Sequence, residues 1–271
     1  MALSTFVPSA GRALLLLAAG LVLAALAASS AASAAPLTGR DVAKLVYDRP
    51  NGEDRVQVCT MTLTNQRGAT RVRRLEMRSK DYGEDQKSIM IFREPADIQN
   101  TMFLSFSYEE AGRDDDRWLY MPAMKNVRRI SGSSKNEYFM GTDFTYDDLG
   151  KRSVDKDTHE LLGEEDLDGR RCWKLESKPV DPDDGYVRRV SWVDQEAHVT
   201  VRTDYYDRDG LQKTLRVLDL QKRGGIWTTM HSEMNNVSRN HRTELKVESI
   251  EYDTGLSDSL FRVATLQRGR L

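Results

Sequence analysis

The four histidines are the first residues to consider for chemistry, because an imidazole can hold a metal ion or act as a general base. They are His159, His198, His231 and His241. His231 and His241 lie on either side of Glu233, but their spacing of ten residues matches no compact zinc motif. We therefore interpret these side chains as polar strand residues, and we predict no metal site.

The acidic clusters give no stronger sign of catalysis. Asp114–Asp116 and Asp181–Asp184 fall at predicted turns and lack the alternating carboxylates and distal glutamate of a calcium loop. The sequence contains no Gly-x-Ser-x-Gly nucleophile elbow, no phosphate-binding loop and no dinucleotide fingerprint. We predict that the protein is not an enzyme, that it has no catalytic residues and that it binds no cofactor.

Short alternating segments predict that most of the chain is antiparallel sheet. Val199, Val201 and Thr203 alternate with polar neighbours, and the run from Thr101 to Tyr108 also has a period of two. Turns that contain glycine, such as Asp207–Gly210, separate the strands, and short connections join antiparallel neighbours. The pattern predicts about ten strands in one large sheet, which must curl or be covered.

Two short helices and one irregular insertion interrupt the strands. Thr38 is the predicted N-cap of the first helix, and Ser257 is the predicted cap of a second helix that ends at Phe261. The stretch Ser131–Leu149 does not alternate. We interpret its second half, Thr142–Leu149, as a short helix or an ordered loop.

The first 34 residues have the pattern of an export signal. Arg12 is their only charged residue, residues 13–28 are apolar, and Ala32–Ala34 has the small-x-small pattern of a cleavage site. The apolar run is too short and too rich in alanine for a typical membrane span, although an uncleaved N-terminal anchor is the alternative. We predict a signal peptide at residues 1–34 and a single periplasmic domain at residues 35–271.

The charge of the chain bears on its possible partners, and its two cysteines raise the question of a disulfide. With 40 Lys+Arg and 42 Asp+Glu, the formal net charge is −2, which argues against a nucleic-acid partner. Cys59 and Cys172 each fall in a predicted strand and would be exported to an oxidising compartment. A disulfide and two buried free thiols are both compatible with this pattern, and we favour the free thiols.

One block of sequence has a specific pattern, Trp118–Ser131 followed by Phe139–Leu149. The first part contains Trp-Leu-Tyr-Met-Pro-Ala and Arg-Arg-Ile, and the second reads Phe-Met-Gly-Thr-Asp-Phe-Thr-Tyr-Asp-Asp-Leu. This block resembles the bacterial outer-membrane lipoprotein-sorting protein family, which has the LolA/LolB-like lipoprotein-carrier fold. The resemblance extends to Phe92–Pro95 and to Leu256–Phe261.

The resemblance implies a mainly β fold, an unclosed antiparallel β-barrel or half-barrel, with a few short helices covering an apolar concave face. It also implies a periplasmic carrier or chaperone whose partner is a lipid or a lipoprotein acyl chain, shielded in an apolar cavity without covalent chemistry. The alternative is a non-enzymatic accessory subunit that interacts with an inner-membrane lipid exporter.

The predicted cavity residues come from two alternating strands and the insertion. They are Met102, Leu104, Phe106, Trp118, Tyr120, Met121, Phe139, Met140 and Phe144. Methionine suits a container for chains of different shape, because its side chain is flexible and polarizable. We expect a charge at Leu104 to leave the protein folded and to weaken uptake of an acyl probe.

Charged residues in the same block have two interpretations. Lys125, Arg128 and Arg129 could bind an anionic headgroup at the mouth of the cavity. Alternatively, they pair with Asp143, Asp147 and Asp148 and fix the insertion to the barrel. The nearly equal numbers of basic and acidic residues favour the pairing.

Overall fold

Thirteen β-strands in one sheet make up most of the chain that the structure describes. The structure is a computed structural model, and it describes residues 1–3 and 36–269. Apart from its first three residues, the predicted signal peptide lies outside the described residues, as does the predicted cleavage site. From Leu37 onwards the chain forms one compact unit.

The strands follow one another along the chain with short connections, except between β6 and β7. They are β1 (Asp54–Thr64), β2 (Thr70–Tyr82), β3 (Asp85–Glu94), β4 (Met102–Ser107), β5 (Asp116–Met121), β6 (Asn126–Ile130), β7 (Asp157–Leu167), β8 (Arg170–Pro179), β9 (Arg188–Asp194), β10 (Thr200–Asp207), β11 (Gly210–Arg223), β12 (Ile226–Asn236) and β13 (His241–Tyr252). The α-helices are α1 (Gly39–Tyr47) and α2 (Val263–Gln267). Single 3-10 turns occur at Pro122–Met124, Gly132–Ser134, Phe139–Gly141, Asp147–Leu149, Val154–Lys156 and Asp258–Phe261.

The sheet is antiparallel throughout and is not closed. Its order is β6-β5-β4-β3-β2-β1-β13-β12-β11-β10-β9-β8-β7, so β1 and β13 lie at the centre and β6 and β7 at the two edges. Residues 131–156, called the strap below, therefore connect one edge of the sheet to the other. The prediction of a mainly β, unclosed half-barrel is confirmed, with thirteen strands where the sequence predicted about ten.

Helix α1 begins where the sequence predicts. Thr38 and Asp41 form a capping box, in which the Asp41 backbone nitrogen donates to Thr38 Oγ1 at 3.2 Å and the Thr38 nitrogen donates to Asp41 Oδ2 at 2.9 Å. A Cβ atom at Gly39 would lie only 2.7 Å from the backbone nitrogen of Glu160. Glycine therefore allows α1 to lie directly against β7.

The register of the strands defines two faces, because directly paired residues point to the same side of a sheet. On the face that we call inner, Phe103 pairs with both Met90 and Leu119. The strap covers this part of the inner face with Phe139 and Tyr146, and all five side chains belong to one buried cluster. The ring centroids of Phe103 and Phe139 are 5.1 Å apart, so the packing here is solid.

The opposite, outer face is covered near β3–β5 by the end of the chain. The predicted second helix is a 3-10 turn at Asp258–Phe261 with Ser257 as its cap, and α2, which the sequence pattern did not reveal, follows it. Phe261 and Leu266 pack there against Leu104. In the described part of the chain, no helix combines the length and the apolar character needed to cross a bilayer.

Both cysteines are buried and neither forms a disulfide. Cys59 lies on β1 and Cys172 on β8, so the favoured pair of free thiols is what the structure contains. Burial raises the pKa of the Cys59 thiol to about 12 and that of Cys172 to about 11. Such thiols are poor nucleophiles at neutral pH.

Candidate ligand-binding site

A cavity of about 320 Å³ lies between α1 and the strands β7–β11. Helix α1 supplies Ala43, Val46 and Tyr47, and the end of the strap supplies residues from Asp147 to Val154. The sheet supplies inner-face side chains from five neighbouring strands. The volume is at the lower end of the range of about 300–1,000 Å³ that is typical of small-molecule sites.

The sheet side of the cavity is built from rungs, which are rows of paired residues that cross neighbouring strands. The polar rung consists of His159, Ser177, Arg189 and Tyr205, and it continues beyond the cavity to Lys213. The middle rung consists of Leu175, Ser191, Thr203 and Leu215. Two residues along a strand span about 7 Å, so the lining changes from apolar to polar over a short distance.

The apolar part of the cavity lies where α1 meets β8 and β9. Val42 of α1 is fully buried against Leu175 and Val193, and Ala43 and Val46 are packed beside them. The amphipathic pattern of α1 places these residues on one side of the helix. The same side of α1 therefore anchors the helix to the sheet and lines the cavity.

The polar rung meets a group of buried ion pairs. Arg189 donates to Asp184 at 3.0 Å and to Asp157 at 3.4 Å. Arg152 of the strap donates to the same two carboxylates, at 2.6 Å to Asp157 and at 2.9 Å to Asp184. The two guanidinium groups thus share two carboxylates, which neutralises charge that would be costly to bury alone.

Asp147 extends these ion pairs to the far side of the strap. Its carboxylate accepts from Arg117 at 2.8 Å and from Arg152 at 3.3 Å. Burial acts to raise the pKa of Asp147, but the charges of Arg117 and Arg152 hold that pKa below its usual value. A second cavity of about 300 Å³ lies there, and most of its lining side chains are charged.

Lys213 of β11 is completely buried beside the polar rung. Its Nζ donates to Asp148 Oδ2 at 2.6 Å and to the backbone oxygen of Asp143 at 2.8 Å. It also lies 5.2 Å from the ring centre of Tyr186 and 5.1 Å from that of Tyr205. Burial lowers the pKa of the Lys213 ammonium, against the attraction of Asp148.

Asp143 fixes the strap to the centre of the sheet. Its side chain is fully buried and accepts from Thr243 Oγ1 at 2.7 Å and from His241 Nδ1 at 2.6 Å. The Asp143 backbone nitrogen donates to the same Thr243 hydroxyl at 3.0 Å. Together with Lys213, these contacts hold the strap at β11 and β13.

The structure divides the predicted cavity residues between the two faces of the sheet. The outer-face group, packed against the C-terminal segment, consists of Met102, Leu104, Phe106, Trp118 and Tyr120. The inner-side group consists of Met121 at the end of β5 and of Phe139 and Met140, which belong to the strap itself. Phe144 is half-buried within the strap, and none of the nine is among the residues that line the 320 Å³ cavity.

Leu104 illustrates the consequence for the predicted site. It is fully buried among Ile89, Ile91, Phe261 and Leu266. A charge at such a position has no partner and no access to water, so it should unfold the protein. The structure thus reverses the expectation that Leu104→Glu would remain folded.

The favoured pairing within the charged block is wrong. The residues concerned are Lys125, Arg128, Arg129, Asp143, Asp147 and Asp148. Lys125 and Arg128 are exposed on the β5–β6 hairpin, and Arg129 pairs with Asp116. The strap carboxylates do fix the insertion to the sheet, but Asp143 pairs with His241, Asp147 with Arg117 and Asp148 with Lys213. The strap turns away from the hairpin and crosses the inner face, so the basic residues of the hairpin are out of reach.

Sequence reasoning missed the residues that line the cavity. Ser177, Ser191 and Thr203 are small polar residues on separate strands, and only the register brings them together. One signal was available, because Lys213 has the same strand parity as Leu215, and a lysine at an inward position is rarely buried without a partner. That signal indicates a buried ion pair and hence a carboxylate nearby.

Comparison with known proteins identifies the family. A family model with the description "Uncharacterized protein" matches residues 84–268. The crystal structure of a DUF1329 family protein from Desulfovibrio piger is 34% identical, with a TM-score of 0.81, and the match covers 84% of this chain and 97% of that one. The chain belongs to the DUF1329 family. No curated protein matches the sequence.

Two further structures resemble this DUF1329 chain. A domain of Vibrio parahaemolyticus described as that of an outer membrane lipoprotein-sorting protein is 31% identical, with a TM-score of 0.81, and the match covers 85% of this chain and 98% of that one. A LolA superfamily protein from Nitrosomonas europaea is 18% identical, with a TM-score of 0.67 and coverage of 84% and 99%, and it shares the fold. The family resemblance predicted from the Trp118–Leu149 block is confirmed.

Proposed function

We propose that this protein is a carrier or chaperone that shields an acyl chain of a lipid or lipoprotein in the cavity under α1, without covalent chemistry. The observation that carries the proposal is the cavity itself, which joins an apolar wall to a polar rung. An amphipathic ligand matches such a lining, since its chain and its headgroup need different surroundings. The likeness to a domain described as lipoprotein-sorting supports the same conclusion.

The apolar wall provides the driving force for this function. Each CH₂ group that moves from water to an apolar site contributes about 0.8 kcal/mol. Ala43 and Val46 of α1 face Leu175 and Val193 of the sheet across the apolar part of the cavity. The apolar side of α1, which carries Val42, Ala43 and Val46, packs on the sheet, so an outward movement of the helix would enlarge the space for a longer chain.

The proposed place of action is the periplasm. The pattern of residues 1–34 supports export with removal of the leader, and a carrier of lipid anchors is needed where they must cross water. Intact-mass measurement of protein from a bacterial periplasm should show a chain that begins at Ala35. A full-length product retained in the membrane would contradict this part of the proposal.

The test of the carrier function is a cavity-filling variant with a matched control. Leu215→Trp places a larger side chain in the cavity, whereas Leu218→Trp makes the same change at an exposed position of the same strand. We expect Leu215→Trp to bind a fluorescent acyl probe at least about tenfold more weakly, and Leu218→Trp to bind it as wild type does. Circular dichroism is the control, and we expect it to show that both variants are folded.

Two outcomes would contradict the proposal. One is a wild-type protein that takes up no acyl probe, and the other is equal uptake by Leu215→Trp and Leu218→Trp. Mass spectrometry of organic extracts from the purified protein supplies an independent measurement. Lipid-free protein that binds an inner-membrane exporter tightly would favour the accessory-subunit alternative.

A further inference from the structure

The polar rung is where the headgroup of a bound lipid would lie. The apolar wall under α1 ends at the middle rung, and the polar rung is the next row of the sheet. A chain that lies against Leu175 and Val193 therefore directs its polar end toward Arg189 and Tyr205. The charges and hydroxyl groups of this row decide which headgroup is accepted.

Every arginine and aspartate that lines the cavity already has an opposite partner, and both ring nitrogens of His159 are bonded, to Ser177 Oγ at 2.8 Å and to the Val154 backbone oxygen at 2.9 Å. Arg189 and Arg152 share Asp157 and Asp184, and Asp147 pairs with Arg152. The remaining lining carboxylate, Asp148, pairs with Lys213. An anionic headgroup would have to break one of these pairs to obtain a cation, and a cationic headgroup would have to take a carboxylate in the same way. Both charged classes are therefore disfavoured.

Hydroxyl groups, in contrast, remain available. Within the described residues, the hydroxyl groups of Tyr205 and Thr200 have no hydrogen-bond partner in the protein, and both residues line the cavity. Ser191 and Thr203 bond to each other at 3.1 Å, and each hydroxyl can still make a further bond. A tyrosine hydroxyl is neutral at physiological pH and can donate as well as accept, and burial raises the pKa of Tyr205 further.

We infer that the cavity selects an acyl lipid whose headgroup is uncharged and carries hydroxyl or ester oxygens, of the diacylglycerol class, with Tyr205 as a hydrogen-bonding partner of that headgroup. This inference rests on the proposed carrier function and adds the class of ligand to it. A neutral headgroup leaves all the buried ion pairs intact and satisfies hydroxyl groups that otherwise lack a protein partner.

Competition between two lipids that have the same chains, one with a neutral hydroxyl and one with an anionic phosphate as headgroup, tests the inference. Dioctanoylglycerol and dioctanoyl phosphatidic acid have the same chains and are short enough to dissolve. Each is titrated against the delipidated protein loaded with a diacylglycerol whose fluorescent label is at the end of one chain. We expect dioctanoylglycerol to displace the probe at a concentration at least about tenfold lower than the phosphatidic acid. Equal or stronger competition by the phosphatidic acid overturns the inference and leaves the carrier function standing.

A conservative variant tests the contact itself. Tyr205→Phe removes one hydroxyl from the cavity. Tyr206→Phe makes the same change at the next residue, whose side chain packs on the other face of the sheet with Val190 and Trp192. We expect Tyr205→Phe to bind dioctanoylglycerol about 3- to 10-fold more weakly than wild type, and Tyr206→Phe to bind it with unchanged affinity. Equal affinity of Tyr205→Phe and wild type overturns the placement of the headgroup at the polar rung. Failure of every lipid and of the probe to bind would instead refute the proposed carrier function.

Discussion

Replacement of Lys213 by methionine should strongly destabilise the protein. Lys213 is fully buried, and its partner Asp148 has a side chain that is only 5% exposed. Methionine fills a similar volume but leaves the Asp148 carboxylate without a cation in a low-dielectric setting. The carboxylate keeps its bonds from the Thr145 backbone nitrogen and from Tyr186, which lowers the cost without removing it.

The size of the effect follows from the burial of the pair. Removal of one partner of a buried ion pair lowers the free energy of unfolding by about 3–5 kcal/mol. With a urea slope of about 3 kcal/mol per molar, the midpoint of unfolding should fall by about 1–1.7 M. Lys222 lies on the same strand and pairs with Glu196 at 3.9 Å, but both side chains are more than half exposed. Lys222→Met should therefore change the free energy by less than about 1 kcal/mol.

A double variant separates the buried charge from the lost contact. In Lys213→Met with Asp148→Asn, no unpaired charge remains, so at least half of the lost stability should return. Urea unfolding followed by circular dichroism and by tryptophan fluorescence measures all four proteins. If Lys213→Met is no less stable than Lys222→Met, or if the double variant is less stable than Lys213→Met, our account of the pair is wrong.

Three further predictions concern other parts of the molecule. Leu104→Glu should be insoluble or unfolded, whereas Val72→Glu, at an exposed strand position, should melt within a few degrees of wild type in a thermal scan. Because the pKa of Asp147 is lower in the folded than in the unfolded chain, its stabilisation is complete above the unfolded value of 3.8 and is lost as the pH falls through the folded value. In that acidic range, the melting temperature should accordingly fall more steeply with decreasing pH for wild type than for Asp147→Asn. Parallel curves of melting temperature against pH would contradict the assigned ion pairs. Cys59 and Cys172 should resist a thiol reagent in the native protein and react fully in denaturant, and fast native labelling would count against their burial.

The strands were predictable because their signal is local. A period of two, glycine turns and one capping residue at Thr38 are read from a few neighbouring residues, and each corresponds to an element of the structure. What covers each face of the sheet, in contrast, depends on segments that are distant in the sequence. In β4, Met102, Phe103 and Leu104 are all buried, since α2 covers one side and the strap covers the other. Alternation shows which residues share a side of such a strand, but it does not show what covers that side.

The cavity was unpredictable for a related reason. Its polar rung joins residues that are far apart in the sequence, such as His159, Arg189 and Tyr205, and a shift of one residue in any strand pair would turn a side chain to the other face. The strap carboxylates were predicted as structural anchors, but Asp147 pairs with Arg117 of β5 and Asp143 with His241 of β13 rather than with the basic residues of the β5–β6 hairpin. Proximity along the chain is a weak guide when a segment crosses a sheet from edge to edge.

The strand order also has a consequence for how the protein must assemble. The central strand β1 pairs on one side with β2, its neighbour in sequence, and on the other with β13, the last strand of the chain. During synthesis, the amino-terminal half of the sheet is made first with one side of β1 open, and that side stays open until the final strand arrives. An unpaired strand of eleven residues is a template for pairing with other chains. A chain truncated before β13 should therefore form intermolecular sheets, whereas the full chain closes this side of β1 as soon as its last strand pairs.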